Sequence, residues 1–183
     1  HGHFVNSLDL INFGSKGEEQ NILSIKERIA RYRPNNRSAL FELAVAQFRL
    51  EKFGQAKITL LKAYPEWRNP ESIKLSNINA DNYTAMVLYA MTLLNSDERL
   101  IAETLLQYVQ TLLKQAKVFD KAQAEFTLAQ INAQLNNKSQ ALLHLMTALE
   151  MGWLEYYNRE WWSLQNNHLL RPLQKDPEFR LLL

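Results

Sequence analysis

Residues 43–63, LAVAQFRLEKFGQAKITLLKA, and residues 128–148, LAQINAQLNNKSQALLHLMTA, decide the fold because small residues recur in both at the same spacing. In each stretch an alanine is followed twelve positions later by a second, and seven positions after that by a third. Apolar residues around them follow the spacing of an amphipathic helix. Gly54 in the first stretch and Asn136-Asn137-Lys138 in the second indicate the turn between two antiparallel helices. Each stretch therefore predicts a helical hairpin.

A third, looser copy lies between these two. Ala90 and Ala102 are again twelve positions apart, and Val109 takes the place of the last alanine. Stacked hairpins bury their apolar faces against one another and leave a concave surface open. We therefore expect an all-α chain of stacked antiparallel hairpins that works by binding.

The composition agrees with a folded helical protein. Of 183 residues, 46% are hydrophobic and 22% are charged, and there are only five glycines and five prolines. The formal net charge of +2 gives no strong field toward nucleic acid, and the absence of cysteine excludes disulfides and thiolate chemistry. These numbers favour a helical domain with an ordinary core and leave the compartment open.

The sequence contains neither a membrane-spanning segment nor a secretory signal. No window approaches the roughly eighteen apolar residues of a membrane span, so no span is expected. No secretory signal opens the chain, and His1-Gly2-His3 is typical of a cut made inside a longer protein. We expect an excised domain.

The hairpin pattern resembles the tetratricopeptide repeat. Two copies carry that motif, the first through Leu43-Ala44, Phe53, Ala56, Leu60 and Ala63, the second through Leu128-Ala129, Ala141, Leu145 and Ala148. The middle copy, Tyr89-Ala90, Ala102, Leu106 and Val109, matches more loosely. The resemblance implies a stack whose first helices line a concave binding face.

The spacing departs from the regular repeat of about 34 residues. Ala44 and Ala90 are 46 residues apart, and Ala90 and Ala129 are 39 apart. The first excess is most easily placed in residues 64–81, so the array is expected to be irregular. The predicted segments are an N-terminal segment or linker remnant (1–17), a half-repeat (18–36), hairpins at about 37–64, 81–117 and 119–151, and a C-terminal cap (152–183).

Several polar residues stand where helices are expected to begin. Asp81, Ser96 and Asp120 each precede an apolar-periodic run, where a side-chain oxygen can accept a free backbone N–H. Asp176-Pro177 is an N-cap followed by proline at the first helical position, which predicts a short final helix over residues 178–182.

The C-terminal region is rich in aromatic residues. Trp153, Tyr157 and Trp161 are four residues apart and share one face if the segment is helical. They are either part of a cap over the last hairpin or the wall of a small-molecule pocket. The cap is the favoured interpretation, because Leu169, Leu170, Leu173 and Phe179 follow.

Residues 148–153, 170–173 and 176–179 are similar to the closing segment of bacterial tetratricopeptide-containing regulators of the CadC type. That resemblance implies that this chain is the sensing or interaction part of a larger bacterial regulator.

No motif in the chain nominates an enzyme. The five glycines are scattered rather than grouped into a phosphate-binding loop, and His144 and His168 lack a partner at ligand spacing. Carboxylate pairs such as Asp97-Glu98 are explained by the positive end of a helix dipole. We expect no catalytic residue, no metal and no cofactor.

A basic stretch, Lys26, Arg28, Arg31, Arg33 and Arg37, precedes the first hairpin. Such a patch can meet an acidic peptide or a phosphate backbone, but apart from Tyr32 no aromatic residue alternates with it to stack bases. A solvated helix face is the favoured interpretation.

The concave face is the remaining candidate site. Apolar anchors among amides suit a peptide held by shape and hydrogen bonds, although the phenylalanines among them are equally expected as core. The resemblance implies a short right-handed tetratricopeptide-like superhelix, and its concave face, carried over by register, would present Ser38, Phe41, Val45, Phe48, Arg49, Thr84, Val87, Met91, Asn95, Gln123, Phe126, Gln130 and Gln134. The sequence favours a non-catalytic interaction scaffold for a protein or peptide, with a small-molecule-sensing domain as the alternative.

Overall fold

The computed structural model describes residues 16–115, 120–153, 164 and 167–182. Over these residues the chain is all-α, with short 3-10 turns and no strand, which confirms the predicted fold class. The α-helices are α1 (Lys16–Tyr32), α2 (Arg37–Arg49), α3 (Phe53–Ala63), α4 (Tyr83–Leu94), α5 (Arg99–Gln115), α6 (Lys121–Gln134), α7 (Lys138–Glu150) and α8 (Pro177–Arg180).

Consecutive helices pack as pairs, α2 with α3, α4 with α5, and α6 with α7. The recurring alanines are at the centres of these pairs. Ala44 and Ala56 are fully buried in the first pair, and Ala129 and Ala141 in the third. A small side chain at these positions lets two helix backbones approach closely, which is why the twelve-residue spacing marked the hairpins.

The turns of the first and third hairpins have the same backbone geometry. Glu51 and Asn136 adopt left-handed φ values of 59° and 60°. In each turn the next residue donates its backbone N–H to a carbonyl of the preceding helix, Lys52 to Gln47 and Asn137 to Asn132. This is the hydrogen-bond pattern that closes many helices.

The sequence places Gly54 near the turn of the first hairpin, and the residue lies just after that turn. It lies in the first turn of α3, and a Cβ added to it would meet no atom within 4 Å. The left-handed residue is Glu51, three positions earlier.

Two of the predicted helix caps are confirmed. Asp120 accepts the backbone N–H groups of Ala122 and Gln123, and Asp176 accepts that of Glu178 at the start of α8. The final helix begins one residue earlier and ends two residues earlier than predicted.

Asp81 and Ser96 do not cap helices, so these two predictions are wrong. Asn82 precedes α4, and its side chain accepts the backbone N–H of Asn79 instead of one from the helix. The Ser96 hydroxyl donates to the Leu93 carbonyl at 2.9 Å, so it belongs to the end of α4.

The described helices fall into two compact units. The first runs from Glu19 through α5, and the second from Asp120 through α8. In the first unit, α3 also packs against α4, and ten of the twelve residues of α4 are buried. The predicted insertion is present as a linker, residues 64–82, containing three 3-10 turns. Trp67, Ile73 and Ile78 anchor this linker in the core of the unit.

In the second unit, several of the described residues after α7 pack on the last hairpin. Trp153, Leu164, Leu170, Leu173 and Phe179 join one core cluster with buried residues of α6 and α7. The Gln134 side chain donates to the Leu169 carbonyl at 2.9 Å and ties this region to α6.

Candidate interaction site

Most of the predicted concave-face residues are not on an accessible surface. Of the thirteen, Ser38 and Asn95 are exposed, and four are half-buried: Phe41, Thr84, Gln123 and Gln134. The other seven are buried: Val45, Phe48, Arg49, Val87, Met91, Phe126 and Gln130. A side chain that the folded protein already covers cannot make first contact with a partner, so these seven leave the candidate surface.

The neighbours of these side chains explain their burial. Phe48 packs edge to face against Phe53, with ring centroids 5.2 Å apart. The Arg49 guanidinium is paired with Glu19 at 3.4 Å. For these residues the core interpretation, which the sequence left open, describes their environment.

The structure instead presents an open cleft within the first unit, at the N-terminal ends of α2 and α4. Its volume is about 430 Å³. We call it the α2/α4 cleft, and its lining residues are Arg37, Ser38, Phe41, Tyr64, Asn79, Asp81, Asn82, Thr84 and Ala85. Ser38, Phe41 and Thr84 were among the predicted contact residues, so the first turns of both helices contribute as expected.

Arg37 and Tyr64 form an aromatic and cationic part of the wall. The guanidinium carbon of Arg37 lies 5.0 Å from the centroid of the Tyr64 ring. Arg37 also contacts the Glu66 carboxylate at 3.4 Å. Burial raises the pKa of Tyr64, and the charge of Arg37 offsets part of that rise, so the phenol is neutral at physiological pH.

Hydrogen bonds within the linker fix the asparagine-rich part of the cleft. The Asn82 side chain accepts the backbone N–H of Asn79 and donates to the Asn77 carbonyl, both at 2.9 Å. The Asn79 side chain in turn accepts the backbone N–H of Asp81 at 2.9 Å. These bonds hold the loop in place, so the cleft is formed before any ligand arrives.

Two hydroxyl groups of the lining are available to a ligand. Within the part of the chain that the structure describes, the side chains of Ser38 and Thr84 make no hydrogen bond. Ser38 is exposed, and Thr84 is partly exposed. Each hydroxyl can donate one hydrogen bond and accept others.

The C-terminal aromatic pocket proposed from the sequence is not formed by Trp153. Its ring stacks on Phe126, with centroids 3.9 Å apart, and its indole N–H donates to Gln123 at 3.2 Å. Only 5% of Trp153 is exposed, so it belongs to the core of the second unit. Tyr157 and Trp161 lie outside the described residues.

Metal-ligating side chains do not cluster among the described residues. No group of three or more His, Asp or Glu among them is placed to hold a metal ion. The Nδ1 atom of His144 lies 2.6 Å from a Glu125 carboxylate oxygen, and this pair joins α7 to α6. None of the helices in the described part of the chain has the length and apolarity needed to cross a bilayer.

Sequence reasoning missed the contribution of the linker to the cleft. The irregular stretch between two hairpins supplies Tyr64, Asn79, Asp81 and Asn82 to the lining. From the sequence this stretch is predicted only as extra length beyond the regular repeat spacing. The asparagine-rich run at residues 77–82 was the available signal, because asparagine side chains often order loops by bonding nearby backbone groups.

Comparisons of the whole chain with protein-family models, with curated proteins and with solved structures find no match in any of the three.

Proposed function

We propose that this chain is a non-catalytic interaction module that binds a segment of a protein partner in the α2/α4 cleft. The observation that carries the proposal is the cleft itself, which is open, held in shape by linker hydrogen bonds, and lined by both hydroxyl and aromatic groups. Preformed sites avoid the entropy cost of ordering on binding.

The lining suits a peptide better than a nucleic acid. The Ser38 and Thr84 hydroxyls can bond to a peptide backbone, while the half-buried Phe41 offers apolar surface to a side chain. Arg37 and Asp81 contribute opposite charges, so the cleft lacks the concentrated positive charge that a nucleic acid would require. A volume of about 430 Å³ is large enough for a few side chains.

The wider setting of this module follows from the sequence resemblance. The packing of α2 with α3, α4 with α5, and α6 with α7 supports a succession of hairpins along the chain. On that basis we propose an irregular tetratricopeptide-like array that serves as the regulatory part of a larger bacterial protein.

The test uses two serine substitutions at equivalent helix positions. Ser38 is the second residue of α2 and follows Arg37, and Ser139 is the second residue of α7 and follows Lys138. Both serines are exposed, and an acidic residue in the first turn favours the helix dipole, so both variants should fold. Only Ser38→Glu places a carboxylate in the cleft.

Affinity capture from source-cell extract compares the two variants with the wild-type chain. We expect Ser139→Glu to retain the same partner as the wild type, and Ser38→Glu to retain at least about tenfold less, a loss of roughly 1.4 kcal/mol of binding free energy. Equal retention by both variants would place the contact outside the cleft. If the wild-type chain retains no specific protein, the proposal of a protein partner fails.

A further inference from the structure

The structure divides the basic stretch into paired and unpaired cations. Lys26 is paired with Glu42 at 3.3 Å, and Arg37 is paired with Glu66 at 3.4 Å. Arg28, Arg31 and Arg33 are exposed and form no ion pair with any described residue. Their positive charge is therefore available to a partner.

One of these cations borders a groove formed by α1, α2 and α3. The volume of this groove is about 480 Å³. We call it the α1–α3 groove, and its lining residues are Glu27, Ala30, Arg31, Pro34, Leu40, Leu43, Ile58, Thr59 and Lys62. It shares no residue with the α2/α4 cleft, so it is a second surface of the first unit.

The groove has apolar residues inside and charged residues on its border. Ala30, Leu40 and Leu43 are buried, whereas 71% of Ile58 is exposed on α3. Ile58 is therefore the exposed apolar contact that this groove offers, and the buried side chains form the floor beside it.

The charges on the border favour an acidic partner. Arg31 and Lys62 are exposed, and neither forms an ion pair within the described residues, while Glu27 is the one acid in the lining. Arg28 and Arg33 lie within three positions of Arg31 along the chain and add to the positive potential. No aromatic residue is among the described residues that line the groove, and the exposed Tyr32 (82%) follows Arg31 in sequence without lining it.

We propose that the α1–α3 groove binds an acidic amphipathic helix of a partner protein. An apolar residue of the helix would contact the exposed Ile58, because Leu40 and Leu43 are only 2% and 8% exposed and form the floor of the groove. Flanking carboxylates would pair with Arg31 and Lys62, which sets the orientation and the preference for acidic sequences. The surface therefore selects its partner by charge together with an apolar contact at Ile58.

The direct test uses a designed helical peptide as the probe. Its leucines recur every three or four residues and are flanked by glutamates, and a second peptide carries lysine at every glutamate position. Fluorescence anisotropy with the full chain should show saturable binding of the acidic peptide and at least tenfold weaker binding of the basic one. Binding of the acidic peptide should weaken as salt is raised, because exposed charges are screened.

Matched variants locate the binding in the groove. Ile58→Asp should lower the affinity at least tenfold, whereas Leu100→Asp should leave it unchanged, because Leu100 is a comparably exposed leucine (79%) on α5 and outside the groove. Lys62→Glu tests the charge, and Lys114→Glu is its control. Each lysine is exposed in the last turn of its helix, and only Lys62 lines the groove. All four changes are at exposed positions, so the folded chain should persist.

The proposal is overturned by any of four results. Two of them come from the peptide assay: no saturable binding of the acidic peptide up to millimolar concentration, or equal affinity for both peptides. The other two would identify a different occupant: binding to phosphatidylserine vesicles that Ile58→Asp abolishes, or a dimer in sedimentation that the same substitution abolishes. Ser38→Glu should bind the acidic peptide as the wild type does, so a failure here is distinguishable from a failure of the α2/α4 cleft.

Discussion

The first and third hairpins have the same turn but differ in what covers them. Phe41 and Phe126 each lie ten residues before the left-handed residue of their turn, Glu51 or Asn136. Phe126 is fully buried and stacks on Trp153, whereas Phe41 is half-buried and lines the α2/α4 cleft. The difference teaches that the recurring residues specify a hairpin. The connection after the second helix decides whether the phenylalanine ten residues before the turn is core or surface.

The two connections differ in length and in content. After α7, Gly152 adopts a φ of 85° and turns the chain directly into Trp153. After α3, the linker of residues 64–82 intervenes, and it supplies four of the residues that line the cleft. The candidate binding surface therefore arises where the chain departs from the repeat.

The largest expected effect comes from truncating the two phenylalanines. Phe126→Ala should lower the free energy of unfolding by about 3 to 5 kcal/mol, because it opens a cavity in a packed core. Phe41→Ala should cost roughly 1 to 2 kcal/mol, since part of its ring already meets solvent. Urea denaturation of both variants measures the difference, and equal losses would contradict the contrast between the two hairpins.

A smaller effect is expected where the linker is attached to α4. The Tyr89 hydroxyl donates to the Trp67 carbonyl at 3.1 Å, so Tyr89→Phe should lower the free energy of unfolding by about 1 kcal/mol at neutral pH. Burial, with a contribution from the Glu98 carboxylate, raises the pKa of Tyr89 from 10.0 to about 12.

The direction of the pH dependence follows from that raised pKa. Between pH 10 and 12 the unfolded chain loses the tyrosine proton while the folded chain keeps it, so the free energy of unfolding falls as pH rises. This contribution is complete below pH 10, and Tyr89→Phe removes it. Urea denaturation at several pH values should therefore show a shallower fall for the variant, and parallel curves would contradict the assignment.

The smallest expected effect compares two glycines under the same substitution. Gly152→Ala should lower the free energy of unfolding by about 1 kcal/mol, because its left-handed φ strains any residue with a Cβ. Gly54→Ala should raise it by about 0.5 kcal/mol, since that glycine lies in a helix with open space around it. Thermal unfolding of both variants measures the sign of each change. A loss of stability in Gly54→Ala would contradict the assignment of this glycine to an unstrained helical position.

The sequence predicted the hairpins because close helix packing requires small residues at fixed intervals. Ala44, Ala56, Ala129 and Ala141 carry that requirement visibly, and all four are fully buried. Asp120 and Asp176 were predictable for a similar local reason, since their side chains bond backbone groups only two or three residues away.

The binding surface was harder to predict, because accessibility depends on contacts that are distant in sequence. Val87 and Met91 have the pattern of a first-helix face, yet only 2% and 0% of them is exposed. The burial of Phe126 depends on Trp153, 27 positions later, and the cleft depends on Asn79 and Asp81 folding beside the start of α2. Helical periodicity reports which side of a helix is apolar and does not report what covers it.

Hydrogen–deuterium exchange of the full chain, with and without the captured partner, tests the central claim most directly. The account predicts slower exchange on binding at residues 37–41 and 79–84, which form the α2/α4 cleft, and no change across α6. Slower exchange confined to α6 and α7, with residues 37–41 and 79–84 unaffected, would contradict it.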